Sequence, residues 1–418
     1  MKKILFTIQW YPSVMSANAL CDQKIIKELV KNEDVDVTCL TYKGSSQTNY
    51  EEMDGIRIFR HRRSFWWDQY MKAQQKDCGW SRFILFLDKL ILRFKQILTI
   101  PFYPYVNIKS SIKFMIHAIR LHKKEHFDIV VSEYHGLDSL LAGYALKCYD
   151  SNIKFVGILW DPISAKESAK YLPAEYARKR LINQERRILE KADALIGMKS
   201  SESTVRGNID IDSSKHFFYD IPGIVKPLHR DLKRKDILKS GFINIIFSGI
   251  LSLPDRDPEY IIRALNMTSC AERIHLVFLC TGAGKNKLDD LAKDFKGAIS
   301  NMNYIPYNDM LSIYENADVL LNFGGRNPNM VPSKIFEYMS YGKPVISMFS
   351  IDNEASKTYL EKYPLAVCID ERISYEKSVE KLEEFLLEKV GKTASFEEVE
   401  KYFPLNSPKI YSNLIMSL

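Results

Sequence analysis

The chain has 418 residues, 46% of them hydrophobic and 27% charged, a folded, soluble composition that excludes a disordered or collagen-like chain. At about 150 residues per domain, that length suits two domains. The net charge of +7 is uneven: residues 56–126 carry 15 Lys and Arg against 4 Asp and Glu, so this segment holds +11 and the remainder −4. Such a patch attracts anions, among them phosphorylated substrates, nucleic acid and anionic lipid.

In chain order, Lys3–Ile8 reads as a buried strand, and Gln9 and Pro12 break the run too early for a signal peptide. A loop through Asn18 leads to a helix over 19–31 and a strand over 35–41, the strand–helix–strand unit of a parallel sheet. The alternation continues with strand 127–132, helix 136–148, strand 154–159, a helix over 173–191 and a strand near 192–197. It restarts with strand 242–247, helix 258–267, strand 274–280, helices 287–295 and 308–316, strand 317–322, helix 332–341 and strand 344–348. Two alternating blocks predict two doubly wound α/β domains facing a cleft, joined near 221–240, where Pro222, Gly223, Pro227 and a run of charges cluster. The seven cysteines are scattered, odd in number and free of C-x-x-C, which fits a reducing cytoplasm. No charge-free apolar run reaches about 18 residues, so no spanning helix is expected.

Inside the basic segment, the polar residues of Phe83–Ile100 are Asp88, Lys89, Arg93, Lys95, Gln96 and Thr99, which recur every three or four positions as one stripe of a helix. Two readings stand: a core-facing helix with a solvated charged edge, or a basic amphipathic helix for a membrane surface or a partner. Arg60, Arg62, Arg63, Phe65, Trp66, Trp67, Phe102, Tyr103 and Tyr105 around it would also suit single-stranded nucleic acid, but no nucleic-acid module is visible, and no nucleic acid is expected as a partner.

The stretch Asn327-Pro-Asn-Met-Val-Pro-Ser-Lys-Ile-Phe-Glu-Tyr-Met-Ser-Tyr-Gly-Lys-Pro-Val-Ile346 carries the most chemistry. Pro332 suits a first helical position, Gly342 a left-handed stop and Pro344 the break after it. The amides near Ser333 and Lys334 then form a phosphate site, with the Lys334 charge added. Glu337, four residues after Ser333, shares its face and can accept two hydrogen bonds from a ribose diol.

This string is similar to the donor-binding signature of family 4 (retaining) glycosyltransferases, which have the GT-B fold of two Rossmann-like domains. The resemblance spans nearly the whole chain. Tyr11-Pro12 resembles the family's first loop, and Asp128-Ile-Val-Val-Ser-Glu-Tyr-His135 its strand ending in an active-site histidine. Glu185 through Ala192-Asp193-Ala-Leu-Ile resembles the close of the first domain, Phe247-Ser-Gly-Ile-Leu251 the start of the second, and 308–321 the helix and strand before the signature. What the resemblance implies is transfer of a sugar from a nucleotide diphosphosugar, UDP-sugar favoured, with retention and no obligatory metal or other cofactor. Glu337 would hold the ribose and Ser333 and Lys334 the pyrophosphate, with Gly249 and Gly282 in the donor loops. His135 and Asn329 would be the catalytic positions at the transferred sugar. Cations aimed at the departing phosphates stabilise the charge that develops there.

The sequence departs from that pattern. Asn329 stands where the family often has Glu, and an amide hydrogen-bonds sugar hydroxyls but cannot act as a nucleophile. Ile250 replaces an Arg, and Arg256 falls near the usual Lys, which would make it the main phosphate cation, with Lys334 as the second. Ser16 and Ala17 stand in for the paired glycines of the first loop. Glu133 either orients His135 or is a surface carboxylate, and Asp161 ends another strand near the acceptor. Asp34/Asp36, Asp210/Asp212 and Asp255/Asp257 are acidic pairs of a kind that holds metal in a different fold. Gly282-Ala-Gly284-Lys285 lacks P-loop spacing, and the absence of a full G-x-G-x-x-G counts against a dehydrogenase.

The expected organisation is an acceptor domain over 1–223, to which 396–418 crosses back, and a donor domain over 224–395. The acceptor would be a glycan or polyprenyl-pyrophosphate-linked saccharide of surface polysaccharide synthesis, with the basic patch touching an anionic inner membrane face. A nucleotide-sugar epimerase of the same fold and a non-catalytic sugar-nucleotide-binding protein are the alternatives.

Overall fold

The structure is a computed structural model that describes residues 1–11, 17–44, 47–63, 65–74, 78–165, 169, 171–208, 212–231, 235–326 and 331–418. The chain divides into two units, Met1–Ile221 with Pro408–Leu418, and Pro222–Ser407. The boundary lies at the Pro-Gly step of the expected linker. The returning segment is shorter than 396–418: residues 396–407 stay with the second unit, because Phe403 packs on Phe336 and Tyr359 there.

The first unit is built on strands β1 (Lys2–Thr7), β2 (Val35–Tyr42), β3 (Tyr50–Met53), β4 (Ile56–His61), β5 (Ile129–Glu133), β6 (Lys154–Leu159), β7 (Ala194–Met198) and β8 (His216–Tyr219). Their order is β3-β4-β2-β1-β5-β6-β7-β8, and β3 alone pairs antiparallel. Helices α1 (Ala17–Val30), α2 (Phe65–Gln74), α3 (Gly79–Leu98), α4 (Ile108–Glu125), α5 (Leu137–Tyr149), α6 (Ala174–Leu189) and α7 (Glu202–Asn208) connect them.

The two-residue period of β1 supplies both faces. Leu5 joins a core with Phe114, Leu121, Leu140 and Leu181 of α4, α5 and α6, whereas Ile4 and Phe6 join one with Ile25 and Leu29 of α1. A strand covered on both faces reads as a nearly unbroken apolar run, which is how β1 reads from Ile4 to Phe6.

The second unit holds β9 (Ile243–Ile250), β10 (Ile274–Thr281), β11 (Ala298–Met302), β12 (Val319–Phe323), β13 (Val345–Phe349) and β14 (Ala366–Asp370), in the all-parallel order β11-β10-β9-β12-β13-β14. Its helices are α8 (Glu259–Asn266), α9 (Leu288–Asp294), α10 (Tyr307–Asn316), α11 (Lys334–Ser340), α12 (Lys357–Leu360), α13 (Tyr375–Lys389) and α14 (Phe396–Tyr402). Helix α15 (Pro408–Ser417) returns to the first unit. Both sheets are doubly wound: strand order reverses beside the first strand of each, β1 between β2 and β5, and β9 between β10 and β12. The carboxyl ends at such a reversal leave the crevice where ligands bind.

Helix α3 corrects one expectation. Only Ser81 and Ile84 are buried along its 20 residues, so the core-facing reading of the 83–100 stripe fails. Its inward side carries Asp88, which accepts the Trp66 indole N–H from α2 at 2.9 Å, and the apolar stripe is left outward. Among the described residues no helix is long and apolar enough to cross a membrane.

Candidate functional site

In the second unit the candidate residues gather at the carboxyl ends of β9 and β10, beside β12. Lys334, the first residue of α11, reaches back to β9, where its Nζ donates to the Ser248 carbonyl at 2.5 Å and to Ser248 Oγ at 2.9 Å. Gly249 leaves room for the Phe247 ring beside this site, since a Cβ there would lie 3.0 Å from it. Ser248 Oγ also bonds the Tyr314 hydroxyl, and the Tyr314 ring meets Tyr338 edge-on at 5.0 Å. Lys334 is therefore anchored on a buried set of hydroxyls. Burial pushes its pKa down to about 8; the Glu337 carboxylate works against that shift and the Arg256 cation works with it. An ammonium desolvated beside a second cation is stabilised when an anion arrives.

Arg256 lies in the loop after β9, its amide donating to the Ser252 carbonyl at 2.7 Å. Among the described residues no carboxylate pairs with its guanidinium. The loop after β10 clasps the same segment: the Leu251 amide donates to the Thr281 carbonyl at 2.8 Å, and the Gly284 amide to the Leu251 carbonyl at 2.9 Å. Gly282 has φ +102°, and a Cβ there would sit 2.5 Å from the Leu251 carbonyl oxygen, so both backbone and contact demand glycine.

Glu337 stands one turn into α11 and is half-buried. Tyr307, the first residue of α10, donates its hydroxyl to Glu337 Oε1, and burial together with that carboxylate pushes the phenol far above its ordinary range. Tyr307 takes one of the four or so acceptor positions of a carboxylate, so capacity for a diol remains.

Ser333 flanks the helix start without a side-chain capping bond. Helix α11 begins two residues later than Pro332 predicts, because Ile335 bonds back to the Pro332 carbonyl across three residues in a tight turn at 3.4 Å. With seven residues its dipole is short, so attraction for an anion rests on the Lys334 and Arg256 charges. Gly342 ends the helix at φ +65°, as its sequence position predicts. Asn329 lies outside the described residues.

In the first unit, His135 follows β5 by two residues and is exposed. Asn18 of α1 approaches its Nδ1 at 3.4 Å. Partial desolvation and the Arg63 cation hold the imidazole below its ordinary pKa, against the pull of Asp161. Asp161 is itself raised by desolvation and lowered by His135, which places the two side by side electrostatically. Glu133 is neither a surface carboxylate nor hydrogen-bonded to His135. It is 1% exposed, and its acidic neighbour is Asp22, 3% exposed, which accepts the Trp160 indole N–H at 3.1 Å. Burial and, at Glu133, the nearby Asp22 charge push these carboxyls well above the usual range.

Several site residues had no sequence motif to mark them. Tyr307 and Tyr314 brace Glu337 and Ser248 from α10. Arg63 sits over Trp10, Tyr42 and Trp67 at 5.2, 4.1 and 4.6 Å, a cation–π cluster at the carboxyl ends of β1, β2 and β4. Asp22 lies mid-helix in α1; only the aromatic and basic density near Arg63 gave any signal.

Three residues of the acidic pairs sit in ion pairs: Asp36 with Arg57 at 2.7 Å, Asp257 with Lys287 at 2.6 Å and Asp255 with Arg326 at 3.4 Å. Asp210 lies outside the described residues. Among the described residues no three His, Cys, Asp or Glu side chains group as metal ligands.

No protein-family model matches the sequence, and neither does any curated protein. Solved structures do match over the whole length. An α,α-trehalose-phosphate synthase (UDP-forming) from Burkholderia xenovorans aligns over 100% of this chain and 99% of its own, with a TM-score of 0.62 and 11% identity. HepE of Anabaena, solved with UDP and glucose, aligns over 100% of both chains with a TM-score of 0.56 and 11% identity. UDP-GlcNAc 2-epimerase from Methanocaldococcus jannaschii aligns over 100% of both chains at 0.55 and 12% identity. At these identities the likeness is one of fold: two parallel-sheet, Rossmann-like domains in one chain, the GT-B fold.

Proposed function

We propose that the protein is a glycosyltransferase that moves a sugar from a UDP-sugar to a glycan or polyprenyl-pyrophosphate-linked acceptor, in the manner of the retaining family 4 enzymes. The carrying observation is the convergence of Lys334, Arg256 and Glu337 at the strand-order reversal of the second unit, two cations beside a carboxylate braced by Tyr307. Glu337 binds the ribose diol. Lys334, Arg256 and Ser333 bind the pyrophosphate, and Gly249 and Gly282 set the two loops that carry this site. As the bond from the anomeric carbon to the phosphate oxygen breaks, its electron pair passes to UDP. Both cations then face more negative charge than in the ground state, which lowers the barrier. The acceptor hydroxyl forms the new bond to the anomeric carbon and passes its proton to the departing phosphate oxygen of UDP. His135 serves the transferred sugar, and Asn329, as an amide, hydrogen-bonds its hydroxyls. That two fold neighbours are described as UDP-forming or holding UDP favours this base.

The test is a thermal-shift series with UDP, GDP, ADP and UDP-sugars, wild type beside Glu337→Gln. UDP at 100 times its Kd stabilises the native state by about 2.7 kcal/mol. The expected outcome is a shift with UDP that the variant loses, followed by slow hydrolysis of one UDP-sugar whose first-formed product keeps its anomeric configuration by NMR. No shift with any nucleotide would remove the donor site. The epimerase among the fold neighbours gives a second reading. It is distinguished by a UDP-sugar that changes configuration within the sugar ring in the absence of acceptor. Binding without turnover would leave a sugar-nucleotide-binding protein.

A further inference from the structure

Helix α3 turns the wrong side outward for a globular protein. Trp80, Phe86, Phe94 and Ile97 are 68, 58, 64 and 62% exposed, and Phe83 and Leu90 are exposed between them. At 100° per residue these six fall within one arc of about 120°. Arg82, Lys89 and Arg93 follow along one edge of that arc, all exposed. A helix of 20 residues is about 30 Å long, so this is an extended apolar strip with a basic border. The strip runs on through Phe102, 57% exposed, which also walls an apolar hollow of about 470 Å³ with Ile112, Met115 and Leu141.

An exposed patch of this size marks a binding surface, and charge decides its occupant. The only acidic residue of α3 is Asp88, which is turned inward onto Trp66. A second copy of this helix would bring Arg and Lys against Arg and Lys with no carboxylate between them. An anionic bilayer offers what the strip lacks: acyl chains for the aromatic arc and phosphates for its basic edge.

We propose that α3 lies flat in the surface of an anionic bilayer and seats the first unit there. The strip enters the acyl boundary, and Lys89 and Arg93 lie among the headgroup phosphates. This does not depend on the donor-site reading, which concerns the second unit.

The experiment is flotation of the full chain with vesicles of phosphatidylcholine alone, or of phosphatidylcholine mixed equally with phosphatidylglycerol. Wild type is expected to float with the anionic vesicles and far less with the neutral ones. Each basic residue near an anionic surface is worth about fivefold in partitioning, so Lys89→Gln/Arg93→Gln should lose on the order of 25-fold. Phe86→Glu/Phe94→Glu should not float at all. Both variants change exposed positions and should keep the wild-type melting temperature and nucleotide response. Wild type that stays unbound, or Phe86→Glu/Phe94→Glu that floats like wild type, would overturn the proposal. So would a solution dimer, seen by light scattering, that Phe86→Glu/Phe94→Glu dissolves, since a second copy would then be the occupant.

Discussion

Lys334 carries two of its N–H groups on Ser248 and a pKa near 8, and this combination has a measurable consequence for ligand binding. A phosphate beside the ammonium favours its charged form, so the complex titrates above the free protein. By linkage, affinity is full below the free pKa and falls as pH rises through about 8, by up to tenfold per unit, until the pKa of the complex is reached. Calorimetric titration of UDP between about pH 6.5 and 9.5 checks this. Lys334→Arg, whose charge does not titrate there, should flatten the profile, and a flat wild-type profile would remove Lys334 from the phosphate site. Lys334, Glu337 and Arg256 were legible as chemistry because each sits in or near a local string with turn and helix punctuation. Ser248 and Tyr307 were not legible as their partners, because they are 86 and 30 residues away and meet them only through the sheet order.

At the scale of elements, the two loops after β9 and β10 behave as one piece. Leu251 gives its amide to one strand end and its carbonyl to the other loop. Gly282→Ala would place a methyl 2.5 Å from that carbonyl, at a backbone φ of +102°. The expected cost is about 1–3 kcal/mol of stability, seen as a lower melting temperature, with weaker UDP binding because the Arg256 loop shifts. An unchanged melting temperature would mean that the clasp is not rigid. Helix α3 makes the complementary point: its periodicity named the element, but periodicity does not say which side of an amphipathic helix meets protein. Packing on α2 decided that, through the Trp66 to Asp88 bond.

At the scale of the molecule, the chain ends in the unit where it began. Tyr411 and Ile415 of α15 are fully buried against α1, the Tyr411 hydroxyl donates to the Asp220 carbonyl at 2.7 Å, and Lys2 Nζ donates to the Met416 carbonyl at 2.7 Å. Burial of Tyr411, Leu414 and Ile415 is worth roughly 1.5–3 kcal/mol each, a sum comparable to the whole stability of a domain. Removing residues 408–418 should therefore unfold the first unit and spare the second. Hydrogen exchange should lose protection in β1–β8 and keep it in β9–β14, with the UDP response intact. Protection retained in β1 and β2 would show α15 to be a dispensable cover.

The sequence by itself determined the doubly wound class, the interior strands and the strand–loop–helix placement of the 327–346 string. Interior strands such as β6 and β10 are buried on both faces, so they must be continuous apolar runs, and runs of that kind are visible in one dimension. The strands it did not single out are β3, β8, β11 and β14, the four edges of the two sheets, with β4 beside one of them. Edge strands are half-solvated: β3 is Tyr-Glu-Glu-Met with alternate residues exposed, and β11 has none fully buried. Tertiary structure alone decided that Glu133 is a buried partner of Asp22, that α11 starts at Lys334, and that the strip of α3 faces out. Each of these depends on which distant surface covers a residue, and burial is a property of the assembled layers rather than of the local sequence.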